Sequence, residues 1–431
     1  MKHPKLSLRC YSNYYKDIMY DFHELLYNLK NEKNLDVKKY LPDKFAKLGD
    51  WRSTPYLGEL LINKEETDII RIECAESLGK QGDFNAIKYL KKVLNDPNPE
   101  IRRTTIWSLG QINDINNVNY IFELSTDEDL MVRRWVAKSL GRLKSDLSLN
   151  KLNSYLKSNF HDDDKLVADI IRSLNHLHHL IPKSKSHHYL ELSYSILESN
   201  KSKFVKQAAS ILLFNIFSMG NAPNAKMLLS LIEQCPLNDP LIRPNLIKSM
   251  GFSNEVEKIH NFKDPIKYQA IGISHNIDLL IQSLSNNSDP NEILNILKGF
   301  EYARHYSNYD NFINHSDLNI HNQALKLYAL NRSPIEIIID SFNENYGKYN
   351  ALEILKYYGD HALKIYEQSS FSTDKMARQI SVKAMTSLIM YENTKNKSHL
   401  ISMLNKISKN DVIWHIRRDA RNGIEYFNSL N

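Results

Sequence analysis

Residues 68–79 read DIIRIECAESLG, residues 100–110 read EIRRTTIWSLG, and residues 131–141 read MVRRWVAKSLG. The three align without a gap. Arg71, Arg102 and Arg133 are 31 residues apart (102 − 71 and 133 − 102), and Leu78, Leu109 and Leu140 keep that step. A fixed step of this length marks an array of stacked structural repeats. Fainter copies follow: FVKQAASILLF around Lys206, LIRPNLIKSMG ending at Gly251, and KMARQISVKAM and WHIRRDARNGI near the C-terminus.

Each copy reads as a helical hairpin. In GDFNAIKYLKKVLN (82–95), Ile87, Leu90 and Leu94 recur at helical spacing. The stretch Asp96-Pro97-Asn98-Pro99 stops that helix, because proline removes a backbone donor and clashes with the preceding turn. A second helix opens near Glu100, whose charge suits a helix N-terminus, and closes at Gly110. GDWRSTPYLGELLIN (49–63), with Pro55 near its start, reads as the same first helix one repeat earlier. A lone hairpin cannot bury its apolar face, so successive hairpins must stack. The expected fold is all-α: a HEAT-like α/α solenoid, a curved superhelix of helical hairpins. We expect an N-terminal helical segment (1–48), HEAT-like repeats (49–255) and C-terminal helical repeats that continue the array (256–431).

At 100° per residue from Arg102, the second helix turns Ile101, Thr105, Ile106 and Leu109 inward and Arg103, Thr104, Trp107 and Gln111 outward. The next repeat buries Val132, Val136, Ala137 and Leu140 and presents Arg134, Trp135, Lys138 and Arg142. The outward side is expected to line the concave surface. The first arginine of each repeat has a structural use: Glu65, Asp96 and Asp127 each lie six residues before it, so acid and base can tie neighbouring repeats together. Trp107 and Trp135 lack equivalents in the other repeats, and large aromatics beside arginines make contact anchors unless a neighbouring segment covers them. A second concentration is GFEYARHYSNYDNF (299–312), where Tyr302 and Tyr306 are spaced as helix neighbours, as are His305 and Tyr309.

Composition narrows the function. Thirteen glycines and thirteen prolines in 431 residues favour helices with short loops. A formal charge of +6 permits an anionic ligand but is too mild for a dedicated nucleic-acid binder. Cys10, Cys74 and Cys235 are odd in number and far apart, as in a reducing compartment, and Cys74 falls on the inward side of its helix. The first residues lack the apolar core of a signal peptide, and no run approaches 18 apolar residues, so we expect a cytoplasmic protein without membrane insertion. His176, His178, His179, His187 and His188 have no acid or cysteine at ligand spacing, so no metal is expected. GxSxG, HExxH, P-loop and GxGxxG sequences are missing, which leaves hydrolase, zincin and nucleotide-enzyme readings without support.

The segment RIECAESLGKQGD (71–83), with its short 31-residue hairpin, resembles the lyase-type HEAT repeats of the phycobilin lyases, and the likeness is clear over residues 49–158. The chain's length is similar to the long, phycoerythrin-associated type. That resemblance implies a protein that binds a linear tetrapyrrole, typically phycoerythrobilin, and delivers it to a cysteine of a phycobiliprotein subunit as a thioether. The bilin is then the substrate, and no separate cofactor is implied. No His adjoins any cysteine, so the His–Cys motif of one isomerising relative has no counterpart and plain attachment is the expected chemistry. Bilin propionates want Arg or Lys, and conjugated rings want aromatic faces. Arg103, Arg134, Lys138 and Arg142 are the propionate candidates; Trp107, Trp135, Tyr302, His305 and Tyr306 are the ring candidates. The catalytic acid has no candidate by sequence. Two other readings stay open: a non-enzymatic protein-binding scaffold, and a HEAT-type DNA glycosylase, which would need a stronger basic stripe.

Overall fold

The computed structural model describes residues 22–307, 309–331, 333–343, 348–390 and 394–429. They are predominantly helical, with no β-strand among them. Cys10 and the first 21 positions of the expected 1–48 segment lie outside the described residues. The chain forms two compact units. One takes in the chain up to Asn159 together with Gly359 onward, and the other is Phe160–Tyr358. The boundaries expected at 48/49 and 255/256 do not coincide with this division.

In the first unit the second helices of the repeats are Asp68–Gln81, Pro99–Ile112 and Leu130–Arg142. Asn98 caps the middle one by accepting the Glu100 N–H at 2.8 Å, and Pro99 occupies its first turn, where no N–H is needed. Asp129 caps the third through the Val132 N–H at 2.9 Å. The positions expected inward, among them Ile101, Ile106, Leu109, Val132, Val136 and Leu140, are fully buried. The first helices are shorter than expected. The 82–95 stretch yields only Ile87–Leu90, flanked by 3-10 turns at Phe84–Ala86 and Lys91–Val93. The cause at its start is local: the Asp83 carboxylate accepts the Asn85 N–H at 3.0 Å and fixes a tight turn there.

The recurring Ser-Leu-Gly has a packing reason. Ser108 Oγ donates to Ala75 O at 2.7 Å and Ser139 Oγ to Ile106 O at 3.2 Å, each bond reaching the preceding repeat. A Cβ on Gly79 would lie 2.7 Å from the Ser108 Cα, so only glycine lets the helices come this close.

The arginine ladder exists, but its rungs differ from the expected ones. Arg102 Nε and Nη2 donate to the two Asp127 oxygens at 2.8 Å each, twenty-five residues ahead, while Arg102 Nη1 donates to the main-chain O of Asp96 at 2.8 Å. The acid six residues back thus contributes its carbonyl, and the acid of the next loop contributes its carboxylate. Arg71 pairs likewise with Asp96, and Glu65 takes no part in that pair. Arg133 makes the same backward contact, donating to Asp127 O at 2.8 Å.

The same device identifies the distant repeats. Arg243, in the second unit, donates to Asp264 at 3.0 Å and to Ile232 O at 2.5 Å. Arg378, on the Lys375–Met390 helix of the first unit, donates to Asp411 at 2.7 Å and to Ser372 O at 3.1 Å. Arg417, on the Trp414–Ser429 helix, donates backward to Asp411 O. It also donates to the main-chain O of Ala46 and, at 3.2 Å, of Lys47, at the end of the Leu41–Leu48 helix. The last repeat of the first unit therefore packs on that unit's beginning.

The second unit is built from hairpins of the same kind, including Asp164–His176, Lys203–Ser218, Pro290–Tyr302 and Leu318–Leu330. Gly272 and Gly299 bring two of its helices into backbone contact: a Cβ on Gly272 would meet Gly299 O at 2.0 Å. Among the described residues no helix is long and apolar enough to cross a membrane.

Candidate functional site

Three arginines of the last helix run along the C-terminal ends of the first unit's repeat helices. Arg417 reaches Ala46 and Lys47, Arg421 Nη1 donates to Gln81 O at 2.6 Å, and Arg418 Nη1 donates to the Gln111 side chain at 2.8 Å. Helix C-termini carry unsatisfied carbonyls and partial negative charge, so a row of cations is well placed there. Arg417 and Arg421 are consumed by main-chain oxygens. Arg418 is not, and around it lies the richest cluster of the unit.

Gln111 Oε1 accepts from two guanidiniums at once, Arg142 Nη1 at 2.5 Å and Arg418 Nη1 at 2.8 Å. Arg418 also pairs with Asp419 at 2.6 Å and stands 5.2 Å from the Trp414 ring centroid. No carboxylate lies within ion-pair distance of Arg142 among the described residues. Arg142 is exposed as a residue, yet protein packed round its guanidinium and the repulsion of Arg418 lower its proton affinity, with Asp419 opposing. Trp107 meets Trp414 edge-on, with ring centroids 5.9 Å apart and planes at 72°. The His415 ring, 5.7 Å from that of Trp414, is half-buried, and desolvation holds its pKa below the usual value. Two cations sharing one neutral oxygen beside two indole rings can receive a carboxylate attached to a planar apolar body.

The expected site residues distribute as follows. Trp107 and Arg142 join this cluster. Gln111 and Thr104, expected to face outward, are buried, and Arg418 of the last helix reaches Gln111. Arg103 is half-buried and paired with Glu100 one turn back. Arg134 lies against Met131 Sδ at 3.5 Å, and the Lys138 ammonium sits 4.8 Å from the Trp135 ring centroid. Tyr302, His305 and Tyr306 belong to the second unit. Tyr302 ends its helix, and Arg304 then takes a left-handed φ of 53°, so Tyr306 does not stand one helical turn beyond it. His305 instead packs on Phe300, with centroids 5.7 Å apart. Sequence reasoning missed Trp414, His415 and Arg418. The available signal was that Trp414, one of only four tryptophans, opens WHIRRDARNGI. Cys74 is fully buried and its thiol is pushed up by desolvation, as suits a core residue. Among the described residues no group of three or more His, Cys, Asp or Glu could hold a metal ion.

A family model for HEAT repeats matches residues 87–175. The fold is a HEAT-like α/α solenoid. Deoxyhypusine hydroxylase of Aspergillus niger is 43% identical over 63 residues, which are 14% of this chain and 19% of the relative. The same enzyme of Phaeosphaeria nodorum is 41% identical over 63 residues, again 14% and 19%. The chain thus spans about a fifth, 19%, of the length of the curated relatives it matches. Two solved structures are similar over more of the chain. Kap95p bound to RanGDP is 10% identical with a TM-score of 0.47, over 97% of this chain and 71% of that one. The CpcE–CpcF complex of phycocyanin lyase from Nostoc sp. PCC7120 is 14% identical with a TM-score of 0.33, over 70% of this chain and 98% of that one.

Proposed function

We propose that this protein is a cytoplasmic bilin lyase: it holds a linear tetrapyrrole, with phycoerythrobilin the leading candidate, and presents it to a cysteine of a phycobiliprotein subunit. The observation that carries this reading is the Arg142–Gln111–Arg418 arrangement beside Trp107 and Trp414. A propionate displacing the neutral amide oxygen gives Arg142 its first charged partner and Arg418 a second beside Asp419, and the tryptophan rings meet the conjugated rings. The repeat resemblance at 71–83 points the same way.

In the attachment step the client's sulfur bonds to the ethylidene carbon, whose double bond becomes single. The S–H proton leaves the sulfur and one proton arrives on the adjoining ring carbon, so no oxidant or reductant is consumed. The nucleophile is the client's, and this chain contributes orientation of the reactive carbon. Arg103, Arg134, Trp135 and Lys138 are proposed as outlying contacts along the same helices.

The test is a phycoerythrobilin titration followed by absorbance on wild type, Arg142→Ala, Arg418→Ala and Trp107→Ala, with helicity checked by circular dichroism. Loss of a charged hydrogen bond costs about 1.5–3 kcal/mol, a rise in Kd of roughly tenfold or more. Trp107→Ala should weaken binding several-fold, from about 0.5–1.5 kcal/mol beyond burial. Equal affinities in all four proteins would remove the cluster from the site. Absence of pigment binding by wild type would favour the protein-binding scaffold.

A further inference from the structure

The second unit contains a separate cavity of about 300 Å³. Three successive helices line it: Pro290–Tyr302, Leu318–Leu330, and Lys348–Ile354 with the residues that follow it. The middle helix presents Asn319, Asn322, Gln323 and Lys326, the i, i+3, i+4, i+7 set of one face, and Asn350 and Glu353 approach from the third helix. A helical face turned to a partner helix is ordinarily apolar, whereas this one is amide-rich and cationic.

Most of its polar groups are occupied. Lys326 is paired with Glu301 at 2.7 Å, and Gln323 Nε2 donates to the same carboxylate at 2.9 Å. Lys356 stands 3.7 Å from Glu353. Two groups are left over. Lys298 lines the cavity and has no carboxylate within ion-pair distance among the described residues. Asn322 Oδ1 is buried without a hydrogen-bond partner among the described residues, although the Asn322 main-chain O accepts from Asn350 Nδ2 at 3.3 Å. A buried acceptor without a donor is costly, and an anionic occupant that donates to it also brings the half-buried Lys298 ammonium a charged partner.

We propose that this cavity binds a small hydroxylated organic anion, whose carboxylate or phosphate pairs with Lys298 and whose hydroxyl donates to Asn322 Oδ1. The volume holds on the order of ten water molecules, which suits a hydroxy acid or sugar phosphate and is too small for a tetrapyrrole. The site stands apart from the bilin reading and survives its failure.

Isothermal titration of the full-length protein with malate, glucose 6-phosphate, inorganic phosphate and glucose tests it. Malate or glucose 6-phosphate should bind at least about tenfold more tightly than glucose or phosphate. Preference for malate names a carboxylate ligand, and preference for glucose 6-phosphate a phosphate one. Lys298→Met should weaken that binding about tenfold or more, Lys298→Arg should recover most of it, and Asn322→Leu should remove the advantage over inorganic phosphate. No binding of either hydroxylated anion by wild type, glucose binding as tightly as the anions, or an unchanged Kd in Lys298→Met would each overturn the proposal.

Discussion

Replacing Asp127 by alanine probes the repeat stacking most directly. The Arg102 and Asp127 side chains are only 8% and 7% exposed, and their two contacts are 2.8 Å long. The Asp127 carboxylate also accepts the Asp129 N–H at 2.9 Å, which shapes the turn into the next helix. Asp127→Ala removes all three bonds and strands the guanidinium. Removing one partner of a buried pair costs about 3–5 kcal/mol. Two features reduce that figure: Arg102 keeps Asp96 O and Pro97 O, and the exposed Glu128 carboxylate, already 3.5 Å away, can follow the charge. We therefore expect a loss of about 2–4 kcal/mol, a fall in Tm of roughly 4–16 °C for a unit of this size. Tryptophan fluorescence is the assay, because Trp51, Trp107, Trp135 and Trp414 all lie in the first unit. Adding Arg102→Met should restore part of the loss by removing the orphaned charge. A Tm within about 1 °C of wild type, or a double variant less stable than Asp127→Ala, would refute this account of the ladder.

Three further outcomes are expected. Gly79→Ala, whose methyl would press on Ser108, should lower the urea midpoint by an amount corresponding to about 1–3 kcal/mol, and Ser108→Gly added to it should recover part. Iodoacetamide followed by peptide mass mapping should leave Cys74 unmodified in the native protein and modify it in urea, since burial keeps its thiol protonated. Burial opposes ionisation of Asp43 and Asp164, but Lys80 with Lys47, and Lys201 with the Ser202 N–H, outweigh it and hold both carboxyls below the ordinary value of 3.8. Their folded pKa values are depressed, so their stabilisation is complete above the unfolded value and lost as pH falls through the folded one. The urea midpoint should be flat above about pH 5 and fall below about pH 4, and a midpoint unchanged to pH 3 would contradict the assignment.

Local and neighbour-to-neighbour features were readable in the sequence. The 31-residue step carries the hairpins, the buried face and the ladder, because each is a relation between adjacent repeats. Even the ladder was half-read: spacing located Asp96 and Asp127, but which atom of each faces which arginine depends on how the next hairpin stacks. The Arg418–Gln111 contact spans 307 positions, and no periodicity encodes a meeting at that separation. Trp107 was therefore read without Trp414, and Gln111 was expected at an open surface. At 299–312 helical spacing misled, because left-handed Arg304 takes the chain out of the helix before Tyr306.

The discontinuity of the first unit sets an order of events at synthesis. Trp414 follows Arg142 by 272 residues (414 − 142), and all of Phe160–Tyr358 is made in between. At about 5–20 residues per second, the early repeats wait roughly 14–54 s for the helix that packs on them. During that interval Gln111 and the main-chain oxygens of Ala46 and Gln81 lack the arginines that later bond them.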